Sequence, residues 1–256
     1  MPKTPNFFHD KTIVITGAAS GIGRETALVF AREGANVVCA DLNQDGCDQT
    51  ANEVVQQGTK SLSVPTDVTK RAAVNDMMAK AIAQFGRVDF LFNSAGAALR
   101  RSAFLDIDDE LWDATQNLNT KGTLYAMQAV LPHMLENGEG VIVNVASMSH
   151  MRGGPGASIH YAASKGAVLT MTLGVAREFA NKGIRALSIS PGPIATPFQD
   201  AAGTSPEFIE KALADVPMGR FGKPEEIGEL VLFMCSDACS FMTADTVYVN
   251  GGGGWR

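Results

Sequence analysis

The sequence predicts a single α/β domain built on a parallel β-sheet, and three observations support this prediction. Short β-branched segments alternate along the chain with longer helical patterns. A glycine-rich turn directly follows the first of these segments and leads into a helix. No internal repeat or linker divides residues 1–256. Because strand–helix–strand units cross over with one hand and leave their strands parallel, we expect one sheet with helices on both faces.

Composition restricts the classes of function. The chain has 256 residues, 45% of them hydrophobic and 19% charged, which is typical of one globular domain with a substantial core. A net charge of -6 disfavours a nucleic acid or an anionic membrane as partner, so we expect a small-molecule partner. No apolar run is long enough to cross a bilayer and no signal pattern is present, which predicts a cytoplasmic protein. The four cysteines lack metal-site spacing, so we predict no metal.

The glycine-rich turn follows a strand predicted at 12–16 and precedes a helix predicted at 25–33. Its glycines, Gly17, Gly21 and Gly23, permit a tight turn and a close approach of a pyrophosphate. The phosphate charge would be met by free N–H groups at the start of the helix. This order of strand, turn and helix indicates a dinucleotide site.

Asp41 ends a second strand predicted at 36–40, about twenty positions after the turn. A carboxylate at that position accepts hydrogen bonds from both ribose hydroxyls of an adenosine and repels a 2′-phosphate. The neighbouring Leu42 and Ser20 are uncharged, and Arg24 is the one nearby cation that could oppose this preference. We therefore predict NAD rather than NADP as the cofactor. The alternative for Asp41 is a turn or helix-capping role.

The remaining elements continue the alternation. Small residues at 93–96 follow the fourth strand and leave room for a ligand over the sheet, and the Pro- and Gly-rich segment 197–224 is predicted to be a substrate lid. Further strands are predicted at 61–64, 90–92, 141–145, 185–190 and 246–249, and further helices at 44–57, 70–84, 109–135 and 158–181, with another helix starting at 223.

Tyr161 and Lys165 are four residues apart in a helical pattern, so their side chains share one helix face. An ammonium near a phenol favours the phenolate, and such a pair can take a proton from an alcohol or return one to a carbonyl. The same spacing also fits a surface lysine beside a half-buried tyrosine. Asn119 lies in an otherwise apolar stretch, which indicates a buried amide with a structural or catalytic role.

Taken together and in order, these elements resemble the short-chain dehydrogenase/reductase family over nearly the full length of the chain. The motifs that carry the resemblance are Thr16-Gly17-x-x-x-Gly21-Ile22-Gly23, Asp67-Val68, Asn93-x-Ala95-Gly96, Asn119, Ser147, Tyr161-x-x-x-Lys165 and Pro191-Gly192-x-x-x-Thr196. The resemblance implies a single-domain Rossmann fold, doubly wound, with about seven strands in the order 3-2-1-4-5-6-7. It also implies a homotetramer, which fits the surplus of apolar and small residues in the helices predicted at 109–135 and 158–181.

The resemblance also implies roles for particular residues. Tyr161 would be the acid/base, and Lys165 would lower its pKa and bind the nicotinamide ribose. Ser147 would hold the substrate oxygen, and Asn119 would anchor a proton-relay water. Asp67 and Val68 would border the adenine, and Ile194 and Thr196 would hold the carboxamide. The full cofactor set is Gly17, Ser20, Gly21, Ile22, Gly23, Asp41, Leu42, Asp67, Val68, Asn93, Ala95, Gly96, Tyr161, Lys165, Pro191, Gly192, Ile194 and Thr196.

The predicted activity is NAD-dependent oxidation or reduction of a small polar substrate such as a sugar, a polyol or a hydroxy acid. Cationic side chains flank the expected site, and substrate contacts are predicted at Ser149 and Arg152; the other flanking cations are Arg100, Arg101, His150 and His160. Phe198, Phe208 and Met218 leave a 3-oxoacyl or steroid-type ketoreductase as an alternative. A non-catalytic NAD-binding sensor and a nucleotide-sugar epimerase are further alternatives. The intact Tyr161 and Lys165 disfavour the sensor, and the glycine spacing disfavours the epimerase.

Overall fold

Seven parallel strands form one sheet in the order β3-β2-β1-β4-β5-β6-β7, as predicted. The computed structural model describes residues 2–253, apart from the side chains at 199 and 200. The strands are β1 (Thr12–Thr16), β2 (Asn36–Asp41), β3 (Ser61–Pro65), β4 (Phe90–Asn93), β5 (Gly140–Val145), β6 (Ile184–Pro191) and β7 (Thr246–Val249). Thr16 pairs with Asn93, and Asn93 pairs with Asn144, so the carboxyl ends of the central strands meet at one edge.

Nine α-helices connect and cover the strands in the described part of the chain. They are α1 (Gly21–Arg32), α2 (Gln44–Gln56), α3 (Arg71–Phe85), α4 (Asp109–Thr115), α5 (Gly122–Asn137), α6 (Ile159–Phe179), α7 (Phe198–Ala201), α8 (Pro206–Ala214) and α9 (Pro224–Cys235). None of these helices is both long enough and apolar enough to span a membrane.

Alternation along the strands sends side chains into two cores, one on each face of the sheet. Ile13 and Ile15 pack with Phe30 of α1 and with side chains of α2 and α9. Val14, between them, belongs to the opposite core, which is built with side chains of α3 and α5. Because both faces are covered, the strands are almost continuously apolar, and the polar strand ends at the carboxyl edge form the site.

The helix predicted at 109–135 is interrupted. A π-helical turn at Gln116–Lys121 separates α4 from α5. The amide of Asn119 within this turn bonds to the backbone of Ala97 in the loop after β4. The π-helical turn is therefore accompanied by a tertiary contact, and local helix propensity does not predict the turn.

Several helix boundaries also differ from prediction. The first helix begins at Gly21 rather than Glu25, because the end of the glycine-rich turn forms its first turn. The segment 197–224 contains α7 and α8. Its role as a lid remains a prediction.

Candidate active site

The glycine-rich turn leaves space that side chains would fill. Gly17 has a φ of 73°, and a β-carbon there would lie 2.7 Å from the Ala95 backbone nitrogen. A β-carbon at Gly23 would collide with the Gly17 carbonyl, so this glycine permits close packing of α1 on β1. Ser20 precedes α1 in an extended conformation and its side chain makes no capping hydrogen bond. The N–H groups of the first turn therefore remain available to a phosphate.

A cleft of about 330 Å³ runs from this turn across the carboxyl ends of β2 and β4. Two acidic residues, Asp41 and Asp67, line it, and no basic residue does so among those that the structure describes. Of the predicted cofactor residues, the cleft is lined by Gly17, Ser20, Gly21, Ile22, Asp41, Leu42, Asp67, Val68, Ala95, Gly96 and Thr196. The glycine cradle, the open helix start and the carboxylate together fit a dinucleotide.

Asp41 is held in place by the backbone. One carboxylate oxygen accepts a hydrogen bond from the Ala19 N–H at 3.0 Å, and the other accepts from the Asn43 N–H at 2.9 Å. A carboxylate has about four acceptor sites, so Asp41 keeps capacity for ribose hydroxyls. Arg24 does not offset its charge, because the guanidinium pairs with Glu25 and Glu53 instead.

A second cavity, of about 190 Å³, adjoins the cleft and brings the predicted catalytic side chains together. Ser147 follows β5, while Tyr161 and Lys165 are on α6, and all three line this cavity. The side chains of Tyr161 and Ser147 share a hydrogen bond. The Lys165 Nζ donates to the Val145 carbonyl at 2.7 Å and lies 5.7 Å from the Tyr161 ring centroid. Pro191, Gly192 and Ile194 complete the wall toward the cleft.

Burial governs the titration of this pair. Tyr161 is 8% exposed, and burial raises its pKa to about 12, although the Ser147 hydrogen bond acts in the opposite direction. Burial lowers the pKa of Lys165 to about 8. The prediction of a lowered pKa for Tyr161 is therefore wrong, because desolvation disfavours phenolate and ammonium alike. At neutral pH Tyr161 is a phenol that can donate a proton.

Asn119 is fully buried and pairs twice with one residue. Its Oδ1 accepts from the Ala97 N–H at 3.0 Å, and its Nδ2 donates to the Ala97 carbonyl at 2.9 Å. Gly96 lies where this amide meets Lys165. A β-carbon at Gly96 would be 2.6 Å from the Asn119 Oδ1 and 3.0 Å from the Lys165 Nζ. Asn119 therefore holds the loop after β4 next to Lys165.

Two of the predicted cofactor residues lie behind the cleft rather than in its wall. Gly23 packs under the turn, and Asn93 is 4% exposed with its Nδ2 donating to the Asn144 Oδ1 at 2.8 Å. The Asn144 Nδ2 donates in turn to the Thr172 Oγ1 at 2.9 Å. This buried chain of hydrogen bonds joins β4, β5 and α6. Asn93 therefore stabilises the strands behind the cleft and does not line the cleft.

The predicted loop cations have different environments. The Arg100 guanidinium is 53% exposed, pairs with Asp108 at 2.7 Å, and does not line the cavity. Arg152 lines the cavity but pairs with Asp215 at 3.0 Å. Arg101 also lines the cavity, and burial lowers its pKa.

His150 and His160, the two predicted flanking histidines, contact backbone carbonyl oxygens. His160 is buried outside the cavity lining, and its Nε2 lies 3.0 Å from the Ala98 carbonyl oxygen. His150 places its Nδ1 2.5 Å from the Ser147 carbonyl oxygen and stacks on Tyr248. His150 therefore holds the turn that carries Ser147.

The cavity wall also contains residues that the motifs did not indicate. Ser149 lines it, as predicted, and its N–H donates to the Ser147 Oγ at 3.1 Å. Phe198 and Phe208 line it, whereas Met218 does not. Sequence reasoning missed Ala98, Met148, Pro155, Ser158 and Ala212. Pro155 and Ser158 lie in the loop directly before α6, and this position next to the Tyr161 helix could have indicated that they line the cavity.

Comparison with known proteins agrees with this geometry. A family model described as enoyl-(acyl carrier protein) reductase matches residues 17–253. The chain belongs to the short-chain dehydrogenase/reductase family.

Individual relatives and solved structures are similar to the chain over nearly its full length. The chain is 39% identical over 243 residues to 3-oxoacyl-[acyl-carrier-protein] reductase of Thermotoga maritima, covering 94% of this chain and 97% of that protein. It is 38% identical to (2S)-[(R)-hydroxy(phenyl)methyl]succinyl-CoA dehydrogenase subunit BbsD of Thauera aromatica, covering 95% and 96%. A 7α-hydroxysteroid dehydrogenase structure, complexed with NADH and 7-oxo glycochenodeoxycholic acid, superposes with a TM-score of 0.91 at 32% identity, covering 97% and 96%.

The protein is an oxidoreductase that acts on an alcohol or ketone group with a nicotinamide cofactor.

Proposed function

We propose that the protein transfers a hydride between NAD(H) and the alcohol or ketone group of a small polar substrate, a sugar, polyol or hydroxy acid. The observation that carries the cofactor choice is the acidic adenosine end of the cleft. Asp41 lines it, and Arg24, the one basic residue expected to oppose it, pairs with two glutamates. A 2′-phosphate there would meet a carboxylate without a compensating cation.

The chain's own groups handle the proton. The nicotinamide supplies the carbon that gives or accepts the hydride. In the reducing direction, the neutral Tyr161 phenol donates its proton to the oxygen that develops negative charge, and Ser147 beside it holds that oxygen. Lys165, about 8 in pKa, can exchange protons near neutral pH and would bind the ribose. Asn119 would anchor the relay water, while its contacts with Ala97 hold the neighbouring loop.

A 3-oxoacyl thioester is a second candidate substrate. Two relatives at 38–39% identity act, by their names, on acyl-carrier-protein or CoA thioesters. Phe198 and Phe208 give the cavity an apolar side that suits an acyl chain. The non-catalytic sensor is disfavoured, because Ser147, Tyr161 and Lys165 share one cavity beside the cleft. Turnover of a 3-oxoacyl thioester above that of every polar alcohol would favour the second candidate.

We also propose a cytoplasmic homotetramer. Phe104, Leu105 and Trp112 expose large apolar side chains at and just before α4, and Leu173 does so on α6. These positions fit helix faces that pack between subunits. The four cysteines form no disulfide, which fits a reducing compartment. Light scattering at micromolar concentration should give the mass of four chains, and a monomer would contradict the assembly.

The cofactor proposal is tested by comparing kcat/KM for NAD and NADP with a panel of sugars, polyols, hydroxy acids, steroids and 3-oxoacyl thioesters. The wild type should prefer NAD by about tenfold or more, which corresponds to about 1.4 kcal/mol. Asp41→Ala should lower kcat/KM for NAD and reduce the ratio of kcat/KM for NAD to kcat/KM for NADP. Asp45→Ala, an exposed acid on α2 outside the cleft, is the matched control and should leave the ratio unchanged. A wild-type preference for NADP would refute the proposal.

A further inference from the structure

The substrate cavity is basic in an acidic protein. Its described lining contains Arg101, Arg152 and Lys165 and no acidic residue, although the chain carries a net charge of -6. Two of these cations already have a function or a counter-charge. Lys165 is bonded to the Val145 carbonyl beside Tyr161, and Arg152 is paired with Asp215. Arg101 is the remaining one.

Arg101 has no carboxylate partner among the described residues, and neutral groups fix its orientation. Its Nη1 donates to the carbonyl oxygens of Pro155 at 3.2 Å and Gly156 at 2.7 Å. Its Nε and Nη2 donate to the Thr204 Oγ1 at 3.2 and 3.0 Å. These bonds use four of the five N–H groups of a guanidinium, so one on Nη2 is left.

The ring of Phe208 covers the same guanidinium, with the Arg101 Cζ 4.6 Å from the ring centroid. A cation that is partly desolvated, fixed in orientation and not neutralised by any side chain that the structure describes is costly to hold, and a bound anion would offset that cost. The environment of Arg101 differs in this respect from that of Arg100, whose charge is paired in solvent.

We propose that Arg101 selects substrates that carry a carboxylate or a similar anionic group in addition to the reacting alcohol or ketone. This inference rests on the proposed function and names the class of substrate within it, an oxo or hydroxy acid. The segment 197–224 supplies two aromatic side chains to the cavity wall, one near Tyr161 and one near Arg101. Phe198 packs on Tyr161 with ring centroids 5.5 Å apart, and Phe208 packs on Arg101. The reacting oxygen would lie at Tyr161 and the anionic group at Arg101.

The same contacts tie Arg101 to the segment 197–224, through Thr204 and Phe208. An anion at Arg101 would therefore bind where that segment meets the loop before α6. Selection should appear mainly in KM, because the contact with a non-reacting group is made equally in the ground state and the transition state.

The test uses matched substrates that differ only in charge. Steady-state rates with saturating NAD would be measured for 3-hydroxybutanoate and 4-hydroxypentanoate, each paired with its primary amide. The wild type should favour the acid over the amide by about tenfold to a hundredfold in kcat/KM, the range of a charged hydrogen bond. Arg101→Gln should lose that preference, because its kcat/KM should fall about tenfold or more further for the acid than for the amide, and Arg101→Lys should retain part of the preference. Arg100→Gln is the matched control and should behave like the wild type.

Each other outcome is decisive. Equal wild-type rates on acid and amide would overturn the role of Arg101 even if Arg101→Gln fails to fold. Equal loss on acid and amide in a folded Arg101→Gln would assign Arg101 a structural role only and also overturn it. Turnover of neutral alcohols from the wider panel, with none of the acids accepted, would refute the selection but leave the proposed function intact. No NAD-linked turnover of any compound would contradict the proposed function itself.

Discussion

Replacing Lys165 with methionine should stabilise the fold while abolishing turnover. Lys165 is 3% exposed, and burial lowers its pKa from 10.5 to about 8. Methionine is also long and unbranched, so Lys165→Met fills similar space without a charge. The variant therefore removes the buried ammonium together with its hydrogen bond to the Val145 carbonyl.

The magnitude follows from the pKa. At about 1.4 kcal/mol for each unit of pKa, the difference between 10.5 and about 8 costs the wild type roughly 3 kcal/mol at neutral pH. The variant loses the 2.7 Å hydrogen bond to the Val145 carbonyl, worth about 1–2 kcal/mol. We expect a net gain of about 1–2 kcal/mol in the free energy of unfolding.

The pH dependence of the free energy of unfolding provides a second test of the same pKa shift. Because the folded-state pKa of this cation is depressed, the unfolded chain binds more protons between about pH 8 and pH 10.5, and wild-type stability rises through that window. The advantage of Lys165→Met should therefore shrink by about 1 kcal/mol from pH 7 to pH 9. Urea unfolding of both proteins at the two pH values measures it. A variant less stable than wild type at pH 7, or an advantage independent of pH, would refute this reasoning.

Two further substitutions distinguish residues that shape the active site from residues that stabilise the fold behind it. Gly96→Ala should lower kcat by about tenfold or more, because the added β-carbon would displace Asn119 and Lys165. Steady-state kinetics would measure the loss of kcat, and a thermal melt would show whether the variant is folded. Retention of normal kcat would contradict that contact. Asn93→Ala should cost about 1–3 kcal/mol of stability by leaving the Asn144 Oδ1 unpaired, with little change in cofactor affinity. Urea unfolding and NADH titration test this, and a large loss of affinity at unchanged stability would return Asn93 to the cofactor site.

The sheet was predictable because its determinants are local. Alternating strands and helices predict a parallel sheet, and the predicted strands match β1 to β7 to within about a residue at either end. The same holds for Tyr161 and Lys165, whose spacing of four residues on a helix brings both into one cavity. The order of the strands was implied only by the family resemblance.

Features set by distant contacts were not predictable. The stretch at 116–121 contains no proline or glycine, so nothing local indicates the π-helical turn that places Asn119 against Ala97. Asp215 lies 63 residues from Arg152, and spacing gives no sign that it neutralises that arginine. The predicted direction of the Tyr161 pKa shift was wrong for a related reason. The sequence shows the neighbouring charge but not the depth of burial, and here burial is the larger effect.

We propose that Tyr161 transfers the proton in a nicotinamide-dependent reaction. This role is tested by measuring turnover and NADH binding together in Tyr161→Phe, with Tyr125→Phe on α5, outside both cavities, as the matched control. The phenylalanine keeps the ring that packs on Phe198 and removes only the hydroxyl. We expect Tyr161→Phe to bind NADH like the wild type and to lose kcat by at least about a hundredfold, while Tyr125→Phe keeps both. A Tyr161→Phe variant with near-normal kcat would contradict the proton-transfer role of Tyr161.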